Sequence, residues 1–200
     1  GSEVTVREER SRTSLDLPGR QEELLKAVCK LGKPTILVMI DGRASSINYA
    51  KKYVPAILHA WFPGEFCGQA VAETIFGDNN PGGRLAVTFP KSVGQIPFAF
   101  PFKPGSDSGC GTSVTGALFP FGHGLSYTTF EYSNLRISPE QQGVLGEVKV
   151  SCTVKNTGKR IGDEVVQLYL RDEISSVTTY VKILRGFERI TLQPNEEKEV

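Results

Sequence analysis

The hydrophobic period of this chain changes part-way along it, and no single layer of secondary structure satisfies both periods. Thr35 to Ile40 (TILVMI) is a continuous apolar run, the pattern of a parallel strand covered on both faces. Ala56 to Phe62 (AILHAWF) is a second such run. Helical spacing surrounds them. Leu24, Leu25, Val28 and Leu31 predict a helix that Gly32 stops, and Ser46 to Val54 predicts another, ended by Pro55. Gly64 to Gly77 predicts a third, with Ala70, Val71, Thr74 and Ile75 on one side. Asn79 to Gly83 (NNPGG) is turn chemistry, and Leu85 to Phe89 predicts a short strand. This alternation implies a layered α/β unit with parallel strands. Its few strands fall short of an ordinary sheet, so the unit is expected to be a partial α/β sandwich.

From Phe98 to Gly124 the chain is rich in Pro, Gly and Ser and reads as a long loop. Beyond it the period is two. Val148, Val150, Cys152 and Val154 alternate with polar residues, Asn156-Thr157-Gly158 turns the chain, and Glu164 to Leu170 and Ile183 to Leu192 predict further strands. Short strands with regular turns imply an all-β sandwich, truncated because a new strand is only beginning at Val200. The expected organisation is therefore an α/β region over 1–97, a linker over 98–129, and a β-sandwich over 130–200.

Composition narrows the partners. With 23 basic and 22 acidic residues the formal net charge is +1, which gives no electrostatic case for nucleic acid or a membrane surface. No run approaches the roughly 18 apolar residues of a membrane helix. The Gly1-Ser2 opening carries no signal segment and reads as an internal start. Cys29, Cys67, Cys110 and Cys152 lack metal-like spacing, so no metal and no cofactor is expected. Cys152 falls on the apolar face of a strand and reads as a buried free thiol.

Few residues carry chemistry of their own. No nucleophile elbow, phosphate loop, zinc-protease or dinucleotide signature is present, and NNPGGR follows a helix as a plain turn. His59 lies inside an apolar run, where a satisfied core histidine is favoured over a ligand. Asp41 follows a buried strand, where α/β folds place ligand-binding groups, but Asp41-Gly42 reads equally as a turn, the favoured reading. Glu3 to Arg12 holds three glutamates and three arginines. A glutamate there could donate a proton to a leaving oxygen, or the stretch is simply solvated.

Longer blocks settle more than spacing does. LDLPGRQEELLKAV (Leu15 to Val28), GKPTILVMIDGR (Gly32 to Arg43), AILHAWFPGEFCGQAVAETIFGDNNPGGRLAVTFPKSVGQIP (Ala56 to Pro97) and LFPFGHGLSYTTFEYSNL (Leu118 to Leu135) resemble, in that order, family 3 glycoside hydrolases of the β-glucosidase and β-xylosidase group. VKNTGKRIGDEVVQLYL and LRGFERITLQP resemble the fibronectin type III-like domain that ends many of them. The resemblance implies the later part of the family's second domain and the earlier part of its third. It implies a missing N-terminal barrel that holds the aspartate nucleophile, and an acid/base glutamate supplied from this region. Glu8, four residues before Arg12 and upstream of the LPGRQ segment, is the matching position; Glu9 and Glu3 are the alternatives, since Glu9-Arg10 stands where the family usually has small residues. The implied parent enzyme is a retaining β-glucosidase acting on a β-linked oligosaccharide or glucoside, periplasmic or secreted. A β-xylosidase is the near alternative, and a non-catalytic carbohydrate- or protein-binding module the distant one.

Overall fold

A computed structural model describes residues 12–107, 113–140, 143 and 146–200. The chain divides into two compact units. One comprises the chain up to Val71, Leu85–His123 and Arg171–Ile183; the other comprises Ala72–Arg84, Gly124–Leu170 and Leu184–Val200.

In the first unit, α1 (Gln21–Lys30) opens with Glu22 and Glu23 and closes with Lys30, charges that suit the helix dipole. Gly32, at φ 67°, ends it by donating its N–H to the Cys29 carbonyl. β1 (Ile36–Met39) and β2 (Ala56–His59) form a parallel pair, in register from Ile36↔Ala56 to Met39↔His59. Between them lies α2 (Asn48–Tyr53), and α3 (Cys67–Phe76) carries the chain into the second unit. The core gathers Leu25, Met39, Ile47, Ala50, Val54, Phe89 and Leu118.

Two expectations change here. Leu85 to Phe89 is no sheet strand. Phe89 makes a single antiparallel bridge to Phe119, Leu85 exchanges hydrogen bonds with the 122–123 turn, and Pro90, which has no N–H to give, follows at once. The helical stripe of α1 also buries only Leu25, while Leu24 and Leu31 are 66% and 71% exposed. Ile36 and Ile40 are half exposed as well. Among the described residues β1 has one strand neighbour, β2. A groove of about 480 Å³ runs along β1, walled by Leu17, Leu24, Val28, Ile36, Val38 and Ile40.

The second unit holds β3 (Phe130–Ser138), β4 (Lys149–Asn156) and β7 (Glu197–Glu199) in one antiparallel sheet, with β5 (Gly162–Leu170) and β6 (Ile183–Leu192) in another. Val154 of β4 and Ile190 and Leu192 of β6 are its buried centre, with Phe130, Cys152 and Val166 packed around them. Side chains from two sheets thus meet in one core, which makes a sandwich. Asn156 ends β4 fully buried. Its amide donates to the carbonyls of Arg160 and Leu192, and its oxygen accepts from Thr128 and the Gly158 N–H. The expected turn is therefore held by one side chain that answers four backbone and side-chain groups.

Candidate functional site

The carboxyl ends of parallel strands are where α/β folds expose loops able to hold a ligand. Asp41 stands two residues beyond β1 and His59 is the last residue of β2. The register brings them together: Asp41 Oδ1 lies 3.2 Å from His59 Nε2 and 3.0 Å from the Arg43 N–H, which it accepts, while Oδ2 accepts from the Ser45 hydroxyl at 3.2 Å. Burial pulls the Asp41 carboxyl upward, but the hydrogen bonds from His59, Arg43 and Ser45 outweigh it and hold the group below its usual 3.8. Such a carboxylate is a strut for its own loop and a poor proton donor. The turn reading of Asp41 is the one this geometry supports.

His59 is satisfied on one side only. Nε2 meets Asp41, whereas Nδ1 is buried with no hydrogen-bond partner. Its ring sits edge-on to Trp61 and Phe89, with centroids 4.3 and 5.1 Å away. Trp61 adopts φ 54°, a left-handed backbone that bulky residues seldom take. The turn sends the Trp61 ring inward and leaves Phe62 62% exposed. A Cβ at Gly42 would come within 2.6 Å of Phe62 Cε2, so glycine is what lets that ring lie against the Asp41 loop.

Residues 12–16 lie against the loop after β1. Leu15 accepts from the Ser46 N–H at 2.8 Å, the Arg12 guanidinium donates to the Asp16 carbonyl at 2.6 Å, and Arg12 lines the β1 groove together with Asp41, Gly42 and Arg43. Glu8 and its alternatives Glu3 and Glu9 lie outside the described residues, as does Cys110. Cys29, Cys67 and Cys152 are free thiols. Among the described residues no group of three or more His, Cys, Asp or Glu could hold a metal ion.

NNPGGR does structural work in the second unit. Asn80 donates to the Ile161 carbonyl at 2.9 Å and accepts from Ser126 and the Tyr127 N–H. Arg84 pairs with Glu164 at 2.5 Å, each side chain 11% exposed, and Glu164 also accepts from the Tyr132 hydroxyl at 2.8 Å. Burial, then the Glu164 carboxylate, raises the Tyr132 phenol far above its usual value. A Cβ at Gly82 would meet Asp163 Cβ at 2.7 Å. The motif is a turn and a clamp, and Gly82 is the glycine that its close approach requires. No local sequence signal announces Glu164 or Tyr132, because each acts through a partner far along the chain; Asn156 reads as a turn residue, and only its bonds to Thr128 and Leu192 are hidden from the local sequence.

Residues 1–127, more than half of the chain, match the Glycosyl hydrolase family 3 C-terminal domain, and residues 164–200 match a Fibronectin type III-like domain. The chain belongs to glycosyl hydrolase family 3. Family 3 relatives cover it from end to end: a β-xylosidase of Formosa agariphila is 49% identical over 100% of the chain, and a periplasmic β-glucosidase of Salmonella typhimurium is 41% identical over the same share. The chain spans 28% of the length of each. A β-glucosidase structure from Erythrobacter marinus superposes with a TM-score of 0.89 at 43% identity, covering 96% of this chain and 25% of that one. A mutant β-glucosidase from Listeria innocua in complex with laminaribiose gives 0.86 at 33% identity, over 97% of this chain and 28% of its own. The expected fold class, parallel α/β layers followed by a fibronectin type III-like sandwich, is the fold observed.

Proposed function

We propose that this family 3 chain is the C-terminal portion of a retaining β-glucosidase that releases terminal, non-reducing β-D-glucosyl residues. In this reading Glu8 supplies the acid/base carboxyl, while an upstream barrel, absent from these 200 residues, supplies the nucleophile. The observation that carries it is the full-length match to relatives named as β-glucosidases and β-xylosidases, of which the chain spans about a quarter. A retaining mechanism needs two carboxyl groups about 5 Å apart, one attacking and one donating a proton, and dividing them between two parts of one protein lets the cleft form where those parts meet. The 49% identity to a β-xylosidase favours a second reading, the same chemistry on β-D-xylosyl residues.

The test is made in the longer enzyme. Glu8→Ala should slow cleavage most for poor leaving groups, which need protonation as the bond breaks. An activated aryl glycoside should keep its first step and accumulate glycosyl-enzyme as a burst. Azide, which needs no base, should restore turnover and give the β-glycosyl azide. Rescue confined to Glu3→Ala or Glu9→Ala moves the role to that residue, and rescue of none of the three places the acid/base elsewhere. Comparing aryl β-glucoside with aryl β-xyloside decides the sugar.

A further inference from the structure

We propose that Asp41-Gly42 is a modification site held closed by its own loop, a peptide link that isomerises to isoaspartate once the donors around the Asp41 carboxyl release it.

The chemistry is that open to any aspartate followed by glycine. The Gly42 nitrogen attacks Cγ of Asp41, a new C–N bond closes a five-membered imide, and one carboxyl oxygen leaves as water. Water then adds to either imide carbonyl. Addition at Cγ returns aspartate, whereas addition at the old backbone carbonyl leaves the chain running through Cγ, as isoaspartate. No electrons change hands. Glycine hinders the attack least, because no Cβ stands beside its nitrogen. The fold requires that glycine: a Cβ at position 42 would lie 2.6 Å from Phe62 Cε2. Packing of one ring thus fixes a susceptible pair at the end of β1.

Protection follows from the atom balance. One of the two carboxyl oxygens must depart, and both are held. Oδ1 accepts from the Arg43 N–H and meets His59 Nε2, while Oδ2 accepts from the Ser45 hydroxyl. Departure of Oδ1 breaks two bonds and departure of Oδ2 breaks one, so Oδ2 is the leaving oxygen and Ser45 the donor that must let it go. Ser45 is buried, and its neighbour Ser46 is bonded to the Pro90 and Leu15 carbonyls, which fixes the backbone that carries the donor. A carboxyl ringed by donors also keeps its charge, and so lacks the proton that would turn an oxygen into water.

The modified residue would unfasten the loop. Isoaspartate adds a backbone carbon before Gly42 and moves the carboxylate onto Cα, away from its three donors. His59 Nδ1 already has no partner. Loss of Asp41 would strand Nε2 as well, leaving a buried ring with neither nitrogen bonded. Damage at the end of β1 therefore reaches β2.

The experiment ages the longer enzyme in warm neutral buffer, digests it with trypsin and follows the peptide of residues 31–43, in which Asp41 is the one aspartate. Isoaspartate elutes apart at unchanged mass, and the imide is lighter by one water. Native wild type should form isoaspartate at least about tenfold more slowly than the same enzyme in urea, because reaction waits on local opening. Ser45→Ala should react about tenfold faster than native wild type, the population factor of one charge-assisted hydrogen bond lost from the closed loop. Should Ser45→Ala not fold, His59→Phe removes a donor from Oδ1, keeps an aromatic ring, and should also react faster than wild type. Equal rates in native and unfolded wild type, or folded variants that age at the wild-type rate, overturn the proposal. The readout is a peptide and not a turnover, so this outcome is separate from the fate of the proposed function.

Discussion

Asp41 accepts from three donors within a few ångströms, and the ionised form is the one those donors favour. Its folded carboxyl lies below the usual 3.8, so its contribution to stability is complete above about pH 4 and is lost as pH falls through the lower folded value. Asp41→Asn should cost about 1–2 kcal/mol at pH 7, a loss typical of a charge-assisted hydrogen-bonded group. At pH 3 the gap from the wild type should narrow. Melting temperatures of both proteins at the two pH values check this, and a gap that stays constant would show that the carboxylate's charge does not matter. The pairing with His59 was not legible in the sequence. Asp41 announced itself as a turn residue and His59 as a core residue, and only the β1–β2 register, which places Met39 opposite His59, makes them neighbours.

At the scale of elements, α1 separates two kinds of leucine that the helical period treats alike. Leu25→Ala should cost about 2–4 kcal/mol, because Leu25 belongs to the packed core. Leu24→Gln and Leu31→Gln should each stay within about 0.5 kcal/mol, as exposed substitutions do. Denaturant midpoints measured on this chain distinguish the three, and a Leu24 cost equal to that of Leu25 would mean that the groove face is covered in solution. The elements that read correctly share strong local patterns: TILVMI and AILHAWF as unbroken apolar runs, and Ile183–Leu192 between clear turns. β3 had no readable alternation because its register shifts between Ser133 and Arg136, with Asn134 at φ 52°. The apolar positions move there from Phe130 and Tyr132 to Leu135 and Ile137, and a period-two pattern is erased. Leu85 to Phe89 failed in the opposite way, since strand-like residues met a partner for one bridge and then a proline.

For the molecule as a whole, the proposed division of labour predicts that these 200 residues alone do not hydrolyse an aryl β-glucoside above background, since a general acid without a nucleophile contributes only a modest acceleration. Turnover that survives purification and disappears in Glu8→Gln would overturn the division and imply a self-sufficient site. The clamp formed by Asn80 and Arg84 has a separate consequence, for anyone who would recombine such enzymes. Those residues sit within the stretch that matches the family 3 domain, yet their partners, Ile161 and Glu164, lie beyond it. A chimera joined after residue 127 would import a foreign sandwich while keeping the old clamp, stranding a nearly buried arginine opposite whatever replaced Glu164. A viable graft carries 72–84 along with the sandwich, or restores a carboxylate for Arg84 to grip.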